Sequence, residues 1–198
     1  MKTKVFILIA LLMLSSVSFS QTEKGTFLVS GRTSLEFSRN VTNFSYDGQS
    51  IPEANADINS LSLFSDLGYF VANNFVAGVS LNYSLSSSFP SSGEKIKTGE
   101  FIIMPALIYY IPLESSLRPF VQVGGGYANV TEEAGGEKEF FSGVGYGAGA
   151  GLAWFVNEKL SIDLGIQWAG TRLKYSEDTS VKLSGNSLGA AIGFSLYL

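Results

Sequence analysis

The stretch FVAGVSLNYSLS, residues 75–86, alternates between apolar and small or polar side chains at almost every second position. Its odd positions carry Phe, Ala, Val, Leu, Tyr and Leu, whereas the even positions from Gly78 onward carry Gly, Ser, Asn, Ser and Ser. A period of two residues is typical of a β-strand that presents one apolar and one polar face. The stretch therefore predicts a strand, and it sets the pattern for the rest of the chain.

The same alternation recurs along the whole sequence after residue 25. It is clearest at 26–38, 160–168 and 187–198, and further strands fit around 58–71, 97–111, 119–130 and 140–155. Short links at 72–74, 112–118 and 157–159 take turns with longer polar stretches at 39–57, 87–96, 131–139 and 174–184. Short turns on one side and long loops on the other are typical of a transmembrane β-barrel. We predict an all-β fold, an eight-stranded antiparallel up-and-down transmembrane β-barrel.

Charged and aromatic residues support a membrane barrel, in which the apolar face points outward and the polar face lines the lumen. The charges within strands all fall on the polar face: Arg32, Glu36, Asp66, Glu100 and Asp163. Aromatic residues near strand ends are interpreted as interface girdles: Phe70, Phe75, Tyr110, Phe120, Trp154, Phe155 and Tyr197 on the short-turn side, and Phe37, Tyr83, Tyr127 and Trp168 on the long-loop side.

Arg32 is the one clear basic group that this pattern places in the lumen. An unpaired charge there costs several kcal/mol of desolvation, so we expect Arg32 to form an ion pair with one or more of Glu36, Asp66, Glu100 and Asp163. The network is interpreted as a structural plug, with a gate as the functional alternative.

The first twenty residues are interpreted as a cleaved secretory signal peptide, which leaves residues 21–198 as the barrel domain. Two lysines precede a ten-residue apolar run, and small and polar residues follow it. That run is about half of the ~20 residues that a membrane-spanning helix needs.

Composition excludes several classes of function. The chain has no Cys and no His, which removes disulfides and the commonest catalytic base and metal ligand. A net charge of −4 argues against nucleic-acid binding.

Residues 145–150, GYGAGA, match a dinucleotide fingerprint but lie within a strand, where their glycines make room for lumenal side chains such as Met104 or Phe120. We expect no catalytic residue, no cofactor and no metal site, and we interpret the acidic residues of 131–139 as a solvated loop. The alternative for that loop is a divalent-cation bridge to lipopolysaccharide phosphates.

The last six residues, GFSLYL, resemble the C-terminal assembly signal of outer-membrane barrels, with Gly193, Leu196 and Leu198 at its positions. Together with residues 67–78, 118–127 and 145–155, they resemble the small OmpA/OmpX-like outer-membrane β-barrel family. The resemblance implies a location in the outer membrane, insertion by the barrel assembly machinery and eight strands. As partners we expect outer-membrane lipid and lipopolysaccharide, and we expect a monomer. It implies no shared activity.

We therefore expect a non-enzymatic outer-membrane barrel with a structural or surface-contact role, whose longest loop is 39–57. The alternative is a narrow porin-like channel for ions or small apolar solutes. A third reading is a soluble secreted barrel that binds a lipophilic ligand.

Overall fold

The computed structural model describes residues 21–35, 41–46, 49–51, 58–88, 96–176 and 180–198. The predicted signal peptide, Glu36 and Phe37 lie outside the described residues. Ten strands follow one another in the described part of the chain: β1 Phe27–Leu35, β2 Val41–Tyr46, β3 Gln49–Ile51, β4 Ile58–Ala72, β5 Phe75–Ser88, β6 Ile96–Tyr110, β7 Leu117–Ala134, β8 Glu137–Asn157, β9 Leu160–Tyr175 and β10 Lys182–Tyr197. No helix in the described ranges is long and apolar enough to cross a membrane.

Eight of these strands, β1 and β4 to β10, form a closed antiparallel ring. Each of β4 to β10 pairs with the strand before it in this series, and β1 closes the ring by pairing with both β4 and β10. Val29 shows the closure, because it lies opposite Leu67 on one side and Leu196 on the other. This ring confirms the predicted eight-stranded up-and-down barrel.

We predicted a loop at 39–57, but the described residues of this stretch form a hairpin of β2 and β3. β2 continues along the edge of β10, from Val41 opposite Asn186 to Ser45 opposite Lys182, and β3 pairs with β2. β10 begins at Lys182, five residues before the predicted strand, and β1 pairs with it only up to Ala190. The backbone groups that β10 leaves unpaired on this side find partners in β2, as a sheet edge requires.

The predicted loop at 131–139 is also wrong. β7 and β8 stay paired to Ala134 and Glu137, and only Gly135 and Gly136 turn, with φ of 59° and 88°. Two successive residues at positive φ suit a two-residue hairpin turn, which glycine adopts without strain. The acidic residues here interrupt the apolar alternation, so the sequence pattern hid the strand extension.

The connections at the opposite end of the barrel are short, as predicted. The β4–β5 turn is Asn73 and Asn74, with Asn74 at φ 64°, and the β8–β9 turn is Glu158 and Lys159. The backbone N–H of Lys159 donates to Asn157 Oδ1 at 2.8 Å, which closes that turn. The β6–β7 connection spans residues 111–116.

The outer wall of the ring is apolar, and its aromatic residues only partly match the predicted girdles. Trp154 on the short-turn side and Tyr83, Tyr127 and Trp168 on the long-loop side are exposed as predicted. Five other members of the predicted short-turn girdle point into the lumen and are at most 5% exposed: Phe70, Tyr110, Phe120, Phe155 and Tyr197. Successive side chains of a strand alternate between its two faces. Phe70 is an even number of residues, four, from the inward-facing Asp66, so it also faces the lumen. The exposed aromatics at this end are Phe27, Tyr69, Tyr109 and Trp154.

Candidate functional site: the barrel lumen

The short-turn end of the lumen is closed by an apolar cluster, which we call the lower apolar layer. Its members come from most of the ring strands: Leu28, Phe70, Val76, Ile108, Tyr110, Phe120, Ala153, Phe155 and Tyr197. The aromatic rings pack directly on one another, with centroids 4.9 Å apart for Phe155 and Tyr197 and 5.7 Å apart for Tyr110 and Phe120. An eight-stranded barrel is just wide enough for side chains to fill its interior, and these rings fill it.

A second apolar cluster, the upper apolar layer, lies toward the long-loop end. It consists of Ile102, Ala128, Val130, Phe141, Leu173 and Leu183, with Met104, Tyr175 and Val181 packed against it. The rings of Phe141 and Tyr175 are 5.3 Å apart at their centroids. Two apolar layers therefore enclose the middle of the lumen.

Glycines on β7 and β8 make room for these bulky side chains. A Cβ on Gly151 would lie 2.6 Å from Phe120 Cζ, and a Cβ on Gly145 would lie 2.9 Å from Ile102 Cγ2. The predicted fit between the β8 glycines and Phe120 is thus confirmed. Met104 instead packs against β7, where a Cβ on Gly124 would lie 3.1 Å from its sulfur.

Between the two layers lies a polar layer centred on Arg32. Its guanidinium forms an ion pair with Asp66, and both side chains are largely buried, at 8% and 6% exposed. Arg32 Nη1 also donates to Gln122 Oε1 at 2.9 Å. Asp66 accepts hydrogen bonds from the hydroxyls of Ser30, at 2.7 Å, and Ser80. These five side chains form a single hydrogen-bonded arrangement around the Arg32 and Asp66 charges.

Asp163 is satisfied by hydroxyl groups. It accepts hydrogen bonds from Ser161, at 2.7 Å, and from Ser195. Ser161 Oγ is also 3.2 Å from Tyr197 Oη, which in turn donates to Tyr110 Oη at 3.3 Å. This chain of hydroxyls connects the polar layer to the lower apolar layer.

Of the four predicted acidic partners of Arg32, the structure therefore places Asp66 in the ion pair and surrounds Asp163 with hydroxyls. Glu100 lies on β6, four residues from Met104 toward the long-loop end. It pairs with Ser84 on β5 and with Val130 on β7. Glu36 lies outside the described residues. Sequence reasoning missed Ser30, Ser80, Gln122, Ser161 and Ser195, although all share the inward parity of the charges beside them.

Arg118 is a second buried basic group, so the expectation that Arg32 is the one clear cation in the lumen was wrong. Its guanidinium donates to Thr22 Oγ1 and lies 5.5 Å from the centroid of the Phe155 ring. The sequence analysis assigned Arg118 to a short link, but β7 begins at Leu117 and gives Arg118 the inward parity of Phe120.

Residues 21–25 pack across the short-turn end of the barrel. Thr22 Oγ1 donates to Asn74 Oδ1 at 2.6 Å, and the backbone N–H of Asn74 donates to the Thr22 carbonyl at 2.6 Å. The N–H of Gly25 donates to the Phe70 carbonyl at 3.0 Å. This segment therefore adds a further cover below the lower apolar layer.

A cavity of about 40 Å³ remains beside the polar layer, lined in part by Arg32, Asp66, Ser80, Asn82 and Gln122. Arg32 Nε and Asn82 Oδ1 are buried there, and neither has a hydrogen-bond partner among the residues that the structure describes. A water molecule needs about 10–15 Å³ of such space and two or more polar partners, so this cavity suits a few waters and no larger solute.

The C-terminal residues contribute to the lumen through Gly193. Gly193 lies opposite Arg32 on the neighbouring strand, and a Cβ there would lie 2.5 Å from Arg32 Cγ. Leu196 and Leu198 point outward and are exposed. Glycine at 193 thus has a packing reason, and the role of these three residues in assembly stays a prediction.

One acidic residue at the β7–β8 hairpin, Glu133, forms ion pairs. Glu133 lies 3.5 Å from Lys97 and 3.8 Å from Lys138. Across the described ranges, no group of three or more carboxylate, imidazole or thiol side chains is arranged to hold a metal ion.

A closed ring of eight antiparallel strands, with an apolar outer wall and a filled lumen that contains a buried polar layer, defines a small transmembrane β-barrel. The chain belongs to the outer membrane protein beta-barrel domain family, whose model matches residues 6–195. The protein is therefore an outer-membrane barrel.

Solved structures show the same fold. Neisserial surface protein A, from Neisseria, superposes with a TM-score of 0.54 at 16% identity, covering 87% of this chain and 97% of that one. The outer membrane protein OprG from Pseudomonas aeruginosa gives a TM-score of 0.57 at 14% identity, covering 89% and 97%. A search of curated protein sequences finds no match.

Proposed function

We propose that this protein is a non-enzymatic outer-membrane barrel with a structural or surface-contact role, whose lumen is closed to ions. The observation that carries the proposal is the pair of apolar layers that enclose the polar layer from both ends. An ion that passed either layer would lose its hydration without gaining polar ligands, which is strongly unfavourable.

The same closure argues against catalysis in the lumen. Ser30 and Ser80 donate their hydroxyl protons to Asp66, and Asp66 is only 4% exposed. A serine nucleophile needs both a base and access to substrate, and among the described residues the two apolar layers cover these hydroxyls from both ends. The polar layer therefore acts as a structural plug.

Extended hairpins support a surface-contact role at the long-loop end. A strand needs about 9–11 residues to cross the bilayer, whereas β8 has 21 and β7 has 18. The surplus lies toward the β7–β8 turn, so this hairpin projects beyond the apolar wall. Together with β2 and β3, it presents paired backbone to the exterior.

The alternative is a narrow channel, which the cavity beside Arg32 favours. Its lining is mostly apolar but includes Arg32, Asp66 and Gln122, and a change of partner by Arg32 would widen it. This reading requires both apolar layers to move aside.

Conductance of the refolded barrel, residues 21–198, in a planar lipid bilayer tests the proposal, with heat-modifiable gel mobility as the control for folding. We expect a folded barrel without discrete current steps. Tyr197→Ala opens only the lower layer and Phe141→Ala only the upper one, so each variant alone should stay silent. Reproducible single-channel steps from the unmodified folded barrel would refute the closed lumen and establish the channel.

A further inference from the structure

Gln21 is buried at the short-turn end of the barrel with an unsatisfied side chain. The residue is 3% exposed, and the next residue, Thr22, is 2% exposed. Within the described ranges, neither Nε2 nor Oε1 of the Gln21 amide has a hydrogen-bond partner. Buried polar groups in native structures nearly always have a partner, so the side chain of Gln21 needs an explanation.

Thr22 fixes where Gln21 lies. The Thr22 hydroxyl donates to Asn74 Oδ1 at 2.6 Å and accepts a hydrogen bond from the buried guanidinium of Arg118. The Thr22 carbonyl accepts from the backbone N–H of Asn74 at 2.6 Å. Gln21 is therefore held one residue away from a contact with a buried positive charge.

The other charges at this end of the barrel lie in water. The acidic side chains of the described residues there are all exposed: Glu23, Glu114 and Glu158. The basic side chains of Lys24 and Lys159 are exposed as well. Water and salt screen exposed charges, so these carboxylates compensate a buried charge only weakly. A second positive charge buried beside Arg118 would be poorly compensated.

The predicted cut before Gln21 would place such a charge there. Cleavage releases an α-amino group, which is mostly protonated at neutral pH. The ammonium would add N–H donors to a site that already leaves the Gln21 amide unsatisfied, close to the Arg118 guanidinium. Transfer of an unpaired charge out of water is strongly unfavourable. A free N-terminal glutamine is therefore poorly suited to the position that Gln21 occupies.

We propose that Gln21 is a modification site, at which the N-terminal glutamine is converted to pyroglutamate before the segment docks. The α-amino nitrogen attacks Cδ of its own side chain, so that the N–Cδ bond forms and the Cδ–Nε2 bond breaks. Nε2 leaves as ammonia with a proton from the amine, and no other reactant is consumed. The product is an uncharged lactam ring with one N–H and one carbonyl. The reaction removes both the positive charge and the unpartnered amide nitrogen.

Burial of Gln21 sets the order of the steps. In the folded barrel the residue is covered, so the reaction follows the cut and precedes docking of residues 21–25 on the short-turn end. The inference goes beyond the proposed function. It rests on the predicted cut before Gln21 and is independent of the closed lumen.

Mass spectrometry of the N-terminal peptide tests the inference, on protein purified from the outer membrane of the cells that naturally make it. We expect a chymotryptic peptide of residues 21–27 that is lighter than its free-glutamine form by one ammonia, about 17 Da. The matched control is the refolded chain 21–198 with a free amine. Digested in parallel, it measures any cyclisation during handling.

Hydrogen exchange tests the physical reason for the modification. The refolded chain 21–198 is compared with the same chain treated with a glutaminyl cyclase before refolding. The readout is exchange at the backbone N–H of Asn74, which donates to Thr22. We expect cyclisation to slow this exchange at least about fivefold, because the uncharged ring docks more stably. A chain that begins at Ser20 keeps its amine away from the Gln21 amide, so the same treatment should leave its exchange unchanged.

Three results would overturn the inference. A native chain that begins at another residue refutes the cut, and one that begins at Gln21 with a free amine refutes the cyclisation alone. Equal exchange at Asn74 with and without the ring refutes the burial argument. Conductance of the barrel is measured separately, so failure of the closed lumen is distinguishable from each of these results.

Discussion

Replacing Arg32 by Met tests whether the polar layer is a structural plug. The side chain keeps much of its volume but loses its charge, so Asp66 remains in a largely buried site with only the hydroxyls of Ser30 and Ser80 to stabilise it. Breaking a buried ion pair by removing one partner costs about 3–5 kcal/mol. We therefore expect the free energy of unfolding to fall by about that amount.

The double variant Arg32→Met/Asp66→Asn separates the cost of the orphaned charge from the cost of lost packing. Because no charge is left without a partner, we expect it to recover more than half of the loss in the single variant. Urea unfolding in vesicles, followed by tryptophan fluorescence and gel mobility, measures both values. Planar-bilayer recordings of the same proteins should show no conductance, since both apolar layers are intact.

Two results would refute this reasoning. A loss below about 1 kcal/mol in Arg32→Met would mean that the ion pair contributes little to stability. New current steps in a folded Arg32→Met barrel would mean that Arg32 gates a path through the lumen.

Three further predictions use the same unfolding assay. Gly151→Ala should lower the free energy of unfolding by about 1–3 kcal/mol, because the added Cβ would lie 2.6 Å from Phe120. In the control Gly185→Ala, the nearest atom to the Cβ would be 3.7 Å away, and stability should change by under about 0.5 kcal/mol. Equal effects of the two variants would contradict the packing argument. Thr22→Val removes a buried hydroxyl that donates to Asn74 and accepts from Arg118, so it should lower the free energy of unfolding by about 1–3 kcal/mol. It should also speed hydrogen exchange at the β4–β5 turn, and unchanged exchange would contradict the docking of residues 21–25. Ile166→Lys places a charge near the middle of the lipid-facing wall, where the side chain is 63% exposed, and should cost about 2–4 kcal/mol; a neutral effect would contradict contact with lipid.

The face on which a strand residue lies was predictable from the sequence wherever the alternation of side chains between inward and outward was applied residue by residue. Arg32, Asp66 and Asp163 all lie on the inward face, as the alternation required. The girdle assignment failed where it used closeness to a strand end and ignored parity, as with Phe70 and Tyr197. Arg118 was missed for a related reason, since the start of β7 was placed two residues too late.

Strand extension beyond the membrane could not be predicted from periodicity. Near the β7–β8 turn, residues 134–140 are exposed on both faces of the hairpin, so the apolar alternation fades although the backbone pairing continues. The paired residues up to Ala134 and Glu137, and the pairing of β2 with β10, depend on hydrogen bonds that leave no side-chain pattern.

The sequence by itself determined the class of fold, the number of ring strands and the inward face of Arg32, Asp66 and Asp163, because lipid and lumen impose a strict period of two on every crossing. Only the tertiary structure decided which charges meet. Arg32 reaches Asp66 and Gln122 across 34 and 90 residues of sequence, while Asp163 is bonded to Ser161 and Ser195. Closure of the ring and its register bring these groups to one level, and a shift of register would give each charge a different neighbour.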